Sequence, residues 1–204
     1  DEWLIEKCGP ALVEVQAGRD SDPDYEVNMH LHKARMPFVE FVRKVSSGPS
    51  NDIYMTASNW EANRKALSPL MEGVPEFPGI VDPASNPFIW YSPVSAVTPT
   101  HHDLLNILLL QVRGRKRVLL VPPEHSDKMY NHIRVYSQVD LTKPDFDRFP
   151  LLRGAVIIEL EIGPGDALFL PVGWWHHVTT LETSITLSYT NFVGVINNFD
   201  LAYR

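Results

Sequence analysis

The first 71 residues combine helical and strand-like spacings of apolar side chains. Residues 36–48 carry a proline near their start and then apolar residues at helical intervals, which predicts a helix. These apolar residues are Phe38, Phe41, Val42 and Val45. Residues 3–8 and 59–73 predict two further helices, and residues 11–17 and 52–57 predict strands.

Beyond residue 71 the pattern changes to short apolar runs separated by glycine and proline. The runs that predict strands are NPFIWYSPVSAV, HHDLLNILLLQV, RKRVLLVPP, GAVIIELEI, GDALFLPVG, WWHHVTTL and TSITLSYTNFV. Six or more such strands favour a sandwich or barrel over an alternating βαβ sheet. We therefore expect a mostly β protein with flanking helices, in which residues 72–204 form the barrel and the helix-rich residues 1–71 pack against it. Residues 73–87, rich in proline and glycine, are the expected long loop.

Length and composition favour a single domain. The chain has 204 residues, of which 44% are hydrophobic and 21% charged, and it fits one globular domain over residues 1–204. No apolar run approaches the roughly 20 residues that cross a bilayer, so no membrane span is expected. The first residues favour the last turns of a helix, and the final NNFDLAYR favours the start of another. We therefore expect a chain that is truncated at both ends.

The cysteine content and the net charge indicate which cellular compartment and which kinds of binding partner to expect. The single cysteine, Cys8, excludes an internal disulfide, and the first residues do not resemble an export signal. An intracellular, cytoplasmic protein is therefore expected, or a nuclear one in a eukaryote. The formal net charge of −7 disfavours a nucleic-acid partner without excluding it. The dense basic cluster at residues 113–117 lies in a predicted turn, where a solvated hairpin tip is one interpretation.

Two separate histidine pairs stand at the entrances of predicted strands. Residues two apart in a strand face the same side, so His101 and Asp103 can direct an imidazole and a carboxylate to one point. The second pair, His176 and His177, follows the turn GPGD and offers a third ligand. Two histidines and one carboxylate with open coordination positions suit non-haem Fe(II). A lone His-x-Asp is more often a hydrogen-bonded pair, but the two histidine pairs together favour a metal site.

An ordered series of motifs resembles a known family. The motifs are TPTHHD, GRKRVLLVPP, SQVDLTKPDFDRFP, GPGDALFLPVGWWHHV and SYTNF. Their order is similar to that of the JmjC or cupin-like 2-oxoglutarate oxygenases, and most of all to the small JmjC hydroxylases, which include an asparaginyl hydroxylase. The similarity runs from about Met36 to Phe192, most of the chain. It implies a double-stranded β-helix, or jelly roll.

The resemblance implies which residues hold the metal. His101, Asp103 and His176 would bind Fe(II), because in this family the first histidine after the tryptophan pair is the metal ligand. Strand parity agrees with the choice of His176 over His177 only if the strand is regular, since a bulge would exchange the two.

The residues implied for the co-substrate 2-oxoglutarate lie on several predicted strands. Lys116 matches the basic residue that pairs with its distal carboxylate, and Thr98 and Tyr54 match hydroxyl donors to the same group. Asn191 matches a position near the metal. Some members have an asparagine six residues after the first histidine; here the asparagine is one position earlier, as Asn106, and strand parity is expected to turn it away from the metal.

The activity implied by the resemblance is hydroxylation of a protein or peptide side chain, with O2 consumed and succinate and CO2 released. The same resemblance leaves open N-methyl-lysine demethylation and hydroxylation of a tRNA base or a small molecule. A catalytically silent cupin-like binding domain and a cupin that uses its metal without a keto acid are alternatives from other classes. The complete ligand set and Lys116 favour the oxygenase over both. The sequence indicates neither the substrate nor the oligomeric state.

Overall fold

The computed structural model describes residues 1–82 and 86–194, and β-strands dominate this part of the chain. Its helices are α1 (Glu2–Cys8), α2 (Phe38–Val45) and α3 (Trp60–Asn63). The helix expected to begin near the C-terminus lies outside the described residues. No helix within the described ranges is long and apolar enough to cross a membrane.

The N-terminal part contains a small antiparallel sheet in addition to its helices. The strands are β1 (Leu12–Ala17), β2 (Lys33–Pro37) and β3 (Ile53–Tyr54), in the order β2-β1-β3. Val13 and Val15 of β1 are buried and pack in one cluster with Phe41 and Val45 of α2. The central strand of this sheet is therefore held by α2 as well as by its two neighbours.

The rest of the described chain forms two antiparallel sheets. The strands are β4 (Phe88–Ser92), β5 (Val97–His102), β6 (Ile107–Arg113), β7 (Lys116–Val121), β8 (Asn131–Ile133), β9 (Tyr136–Ser137), β10 (Ile158–Ile162), β11 (Ala167–Leu170), β12 (Trp175–Thr180) and β13 (Ser184–Tyr189). One sheet has the order β10-β7-β12-β5-β9-β8 and the other the order β11-β6-β13-β4. Together they form the predicted jelly roll, so the expectation of a mostly β fold is confirmed.

The space between the two sheets is apolar except around the cavity described below. Val118, Leu120 and Val178 point inward from the six-stranded sheet, and Leu109 and Leu170 of the other sheet belong to the same cluster. In β7 the inward residues are every second one, as the strand period requires. The same parity directs the first residue of β7 into the barrel.

The outer faces of both sheets are covered by other parts of the chain. On the four-stranded sheet, Phe41 of α2 meets Tyr91 edge-on, with ring centroids 5.3 Å apart and planes at 87°. On the six-stranded sheet, Trp175 is fully buried in a cluster with Met129 and Phe149. The inner faces are thus left to line the barrel.

The helix predicted for residues 59–73 is shorter in the structure. It ends at Asn63, whose side-chain amide donates to the Glu14 carbonyl oxygen and accepts from the Glu14 amide, both at 2.7 Å. Pro69 lies in a 3₁₀ turn further on, and a proline disfavours helical geometry at the residue before it. The Asn63 contact with β1 and the nearby Pro69 therefore explain why the expected helix does not continue beyond Asn63.

Three short strands occur where no strand was predicted. They are β2, β8 and β9, of five, three and two residues. Because β2 extends to Pro37, the helix predicted for residues 36–48 begins at Phe38. The described part of the predicted loop 73–87 contains only an isolated bridge, between Val81 and Phe192.

Candidate metal centre

His101, Asp103 and His176 converge at the mouth of the barrel. His101 lies on β5 and His176 directly opposite it on β12, while Asp103 follows the end of β5. Asp103 Oδ2 is 3.3 Å from His176 Nε2 and 3.9 Å from His101 Nε2. One ligand atom from each of the three residues lies within 4.8 Å of the others, a spacing that could hold one metal ion.

A β-bulge in β5 decides which side chains share the barrel interior. On β12, His176 and Val178 are two residues apart, whereas their partners on β5, His101 and Thr98, are three apart. The extra residue therefore lies in β5, beside Pro99, which has no amide hydrogen for the ladder. Because β12 itself is regular against β7, His176 keeps its inward direction.

Backbone carbonyls fix the orientation of both histidine rings. Nδ1 of His101 donates to the Pro99 carbonyl oxygen at 2.8 Å, and Nδ1 of His176 donates to the Trp174 carbonyl oxygen at 3.1 Å. Since a carbonyl can only accept, each Nε2 keeps its lone pair for a metal. Burial, with a smaller contribution from the adjacent His101 ring, lowers the pKa of His176 to about 4, so that ring is neutral at physiological pH.

Two hydrogen bonds tie Asp103 and its neighbours to the turn that precedes His176. The Asp103 carbonyl oxygen accepts from the Gly173 amide at 3.1 Å. The buried side chain of Asn106 accepts from the Val172 amide at 2.9 Å. Asn106 therefore holds the turn between β11 and β12 through its side-chain oxygen.

A cavity of about 420 Å³ extends from the three ligands into the barrel. Lys116, Tyr54 and Thr98 line it together with the metal ligands. The Lys116 side chain is 4% exposed, and its Nζ donates to the Tyr54 hydroxyl at 3.2 Å. Among the described residues, no carboxylate oxygen lies within 4.0 Å of this ammonium.

The register of β7 and β12 sets the distance across the cavity. Leu120 pairs with His176, and Lys116 stands four residues earlier on β7. At about 3.3 Å per residue the two backbone positions are about 13 Å apart. Lys116 and His176 therefore line the same cavity from positions well separated along the strands.

The hairpin before Lys116 depends on Gly114. Its φ is +67°, and a Cβ at this position would lie 2.3 Å from the Thr183 carbonyl oxygen. Only glycine is compatible with both the left-handed conformation and the close approach. The expected solvated hairpin tip is correct for the neighbouring arginines, but not for Lys116, which points into the barrel.

Comparison with known proteins identifies the fold family. A family model described as "Cupin-like domain" matches residues 6–192. The chain belongs to this family. The membership predicted from the ordered motifs is thereby confirmed.

Several relatives of this cupin-like chain carry JmjC or demethylase names. Jumonji C domain-containing protein 5 of Drosophila melanogaster is 28% identical over 201 residues, which cover 92% of this chain and 48% of that protein. Lysine-specific demethylase 8 of Danio rerio is 36% identical over 104 residues, 49% of this chain and 26% of that protein. HSPB1-associated protein 1 of Homo sapiens is 34% identical over 112 residues, 52% of this chain and 23% of that protein. The chain thus spans half or less of each relative.

One residue expected in the site is placed elsewhere in this cupin-like fold. Asn191 lies two residues beyond β13, its side chain is exposed, and it does not line the cavity. Its carbonyl oxygen accepts from the Asp82 amide at 3.0 Å. The structure thus places Asn191 outside the cavity lining, and its position near the metal stays a prediction.

The cupin-like cavity also contains residues that the sequence did not single out as site residues. Trp90 donates from Nε1 to the Ser188 hydroxyl at 2.8 Å, and its ring centroid is 5.9 Å from that of Tyr54. The Tyr136 ring lies 5.9 Å from the His101 ring, and burial raises the pKa of Tyr136 to about 12. Strand parity could have suggested Trp90, whereas Tyr136 lies in a segment without a strand pattern.

Proposed function

We propose that this protein is an Fe(II)- and 2-oxoglutarate-dependent oxygenase that hydroxylates a protein or peptide side chain. The observation that carries the proposal is the buried Lys116 ammonium, which has no carboxylate partner among the described residues and faces a His-Asp-His cluster across one cavity. A buried cation is costly unless an anion joins it. A dicarboxylate that reaches from Lys116 to the cluster supplies that anion.

The donor set fits iron in this role. Two imidazole nitrogens and one carboxylate oxygen on one side of an ion leave further coordination positions open, the arrangement that suits non-haem Fe(II). His101, Asp103 and His176 would hold the metal. When bound, iron and keto acid supply oxygen activation, with succinate and CO2 released.

The other cavity residues bind, orient and exclude water. Lys116 and the Tyr54 hydroxyl donate to the distal carboxylate of 2-oxoglutarate, and Thr98 lines the same end of the cavity. The walls between this end and the metal include Leu109 and Val178. These apolar side chains exclude water from the cavity between Lys116 and the metal, and the low dielectric strengthens the charge pairing at Lys116.

A protein or peptide substrate agrees with the rim of the cavity. Leu104 and Leu105 follow Asp103, are 48% and 43% exposed, and also line the cavity. Exposed apolar side chains beside a site are typical of surfaces that bind another molecule. A relative named lysine-specific demethylase supports removal of an N-methyl group as the second candidate, since it requires the same centre and only a different target atom.

The test is succinate formation from 2-oxoglutarate in the presence and absence of Fe(II), with peptides screened by mass spectrometry. The proposal predicts iron-dependent succinate and, with the right peptide, a gain of one oxygen atom. Loss of a methyl group instead would identify a demethylase. No iron-dependent succinate with any peptide, tRNA or metabolite, together with no binding of 2-oxoglutarate, would contradict the proposal and leave a silent binding domain or a cupin that uses its metal without a keto acid.

A further inference from the structure

We infer that Arg19, outside the cavity, is a positioning residue that holds the 2-oxoglutarate-binding side chains in place. This inference rests on the proposed function. Arg19 lies just after β1, in a 3₁₀ turn that follows Gly18 at φ +76°. Its side chain is 1% exposed, which is unusual for arginine, and it is not part of the cavity lining.

The Arg19 guanidinium joins the segment before Tyr54 to the strand that carries Thr98. Nη1 donates to the Asn51 carbonyl oxygen at 3.2 Å, and Nη2 donates to the Val97 carbonyl oxygen at 2.8 Å. Asn51 lies three residues before Tyr54, and Val97 immediately precedes Thr98. The Asn51 side chain also accepts from the Val97 amide at 2.9 Å. One planar group therefore sets the spacing between the segments that present both hydroxyls.

Arg19 also contacts the Tyr54 ring itself. Its guanidinium carbon is 5.1 Å from the centroid of that ring and 4.2 Å from the centroid of Tyr25. The Lys116 ammonium is 5.6 Å from the same Tyr54 centroid. Tyr54 is thus contacted by two cations, one from the cavity and one from outside it, and such contacts restrict where its hydroxyl can lie.

Glu26 balances the charge of Arg19. Its Oε1 accepts from Nη2 at 2.9 Å, and its side chain is 15% exposed. Because the pair is nearly buried, removal of one partner alone would leave an unpaired charge inside the protein. Variants must therefore either keep the positive charge or remove both charges together.

The experiment compares Arg19→Lys with wild type by calorimetric titration of 2-oxoglutarate into the Mn(II)-loaded protein. Lysine keeps the charge for Glu26 but lacks the planar fork that reaches two carbonyls and stacks on tyrosine. We expect about tenfold weaker binding of 2-oxoglutarate, because the hydroxyls of Tyr54 and Thr98 are no longer held at a fixed spacing before the ligand binds. Mn(II) affinity should stay unchanged, because no contact joins Arg19 to the metal ligands. If the single variant unfolds, the double variant Arg19→Met with Glu26→Gln repeats the test, and Glu26→Gln alone is measured beside it because Glu26 lines the cavity.

Two controls separate positioning from general damage. Arg115→Lys removes an exposed arginine fork that bonds Glu161 and Glu182, and it should leave 2-oxoglutarate affinity unchanged. In a Tyr54→Phe background the effect of Arg19→Lys should shrink, since part of it acts through the Tyr54 hydroxyl.

The outcomes distinguish this inference from the proposed function. Wild-type protein that binds 2-oxoglutarate, together with an Arg19→Lys variant of equal affinity, overturns the role of Arg19 alone. Equal loss of Mn(II) and 2-oxoglutarate binding overturns it as well, because it indicates collapse of the whole site. Wild-type protein that binds no 2-oxoglutarate contradicts the proposed function itself.

Discussion

The basic residues at 113–117 separate into two environments within a single hairpin. Arg113, Arg115 and Arg117 are partly exposed and pair with acidic side chains on the surface. Lys116 is buried, and its Nζ donates to the Tyr54 phenol. The alternation of side chains along the strand produces this separation, and it leaves one buried cation with no carboxylate partner among the described residues.

Replacing Lys116 tests directly whether its buried ammonium binds 2-oxoglutarate. For Lys116→Met we expect 2-oxoglutarate to bind at least about 30-fold more weakly, because loss of one partner of a buried charge pair costs about 2 kcal/mol or more. Calorimetric titration of the Mn(II)-loaded protein measures the affinity for 2-oxoglutarate. Mn(II) affinity should change little, and Arg115→Met should behave as wild type. An unchanged affinity for 2-oxoglutarate in Lys116→Met would remove this residue from the binding site.

The sequence could suggest some site residues and not others for physical reasons. His101, Asp103 and Lys116 carry chemistry that is distinctive at fixed spacings, and ordered motifs surround them. Arg19 has no such pattern, because its importance depends on contacts with residues far along the chain. The bulge beside Pro99 is equally hidden, since it arises from how two distant strands pair.

At the scale of single elements, the hairpin between β6 and β7 is the most demanding turn near the site. Gly114 combines a positive φ with a close approach to the Thr183 carbonyl oxygen. Gly165, in the turn before β11, also has a positive φ, +95°, but nothing lies within 4 Å of a Cβ added there. A comparison of Gly114 with Gly165 therefore separates the energetic cost of a positive φ from the cost of the collision with Thr183.

Alanine at these two glycines should therefore have unequal effects. Gly165→Ala should lower the free energy of unfolding by about 1–2 kcal/mol, the cost of a left-handed conformation with a Cβ. Gly114→Ala should cost more, because the added carbon also collides with backbone. Chemical denaturation followed by circular dichroism measures both. Equal losses in the two variants would show that the Thr183 contact does not constrain the hairpin.

The sequence predicts those strands and helices that have a strong local pattern of apolar and turn residues, and it misses those that lack one. The runs that became β6, β7 and β12 are apolar and bounded by turn residues, so local sequence indicates them. Strands β8 and β9 are three and two residues long, and pairing with each other and with β5 defines them. Helix α3 is short because Asn63 bonds β1, a contact that no local pattern reveals.

At the scale of the whole molecule, one apolar cluster joins the N-terminal part to the barrel. It contains Phe41 and Val45 of α2 together with Leu108, Leu110 and Leu187 of the four-stranded sheet. Neither part can bury these side chains alone. We therefore propose that the N-terminal part and the barrel unfold together, as a single domain would.

Phe41→Ala tests this cooperativity. Phe41 is fully buried, so its truncation should lower the free energy of unfolding by about 3–5 kcal/mol. The whole chain should still unfold in one transition, with tryptophan fluorescence and circular dichroism coincident. Phe169→Ala is the matched control. Phe169 is 46% exposed, so its truncation should lower the free energy of unfolding much less. Two separated transitions would contradict a single cooperative unit.

The central claim is that His101, Asp103 and His176 bind one metal ion. Titration of metal-free protein with Fe(II) under anaerobic conditions tests it most directly, with His176→Ala beside His177→Ala. The wild type and His177→Ala should bind one ion per chain, since His177 faces Thr100 on the other side of β12. His176→Ala should lose more affinity than the roughly 10- to 100-fold typical of changes beyond the ligands themselves. Wild-type binding by His176→Ala, or a loss confined to His177→Ala, would contradict the account.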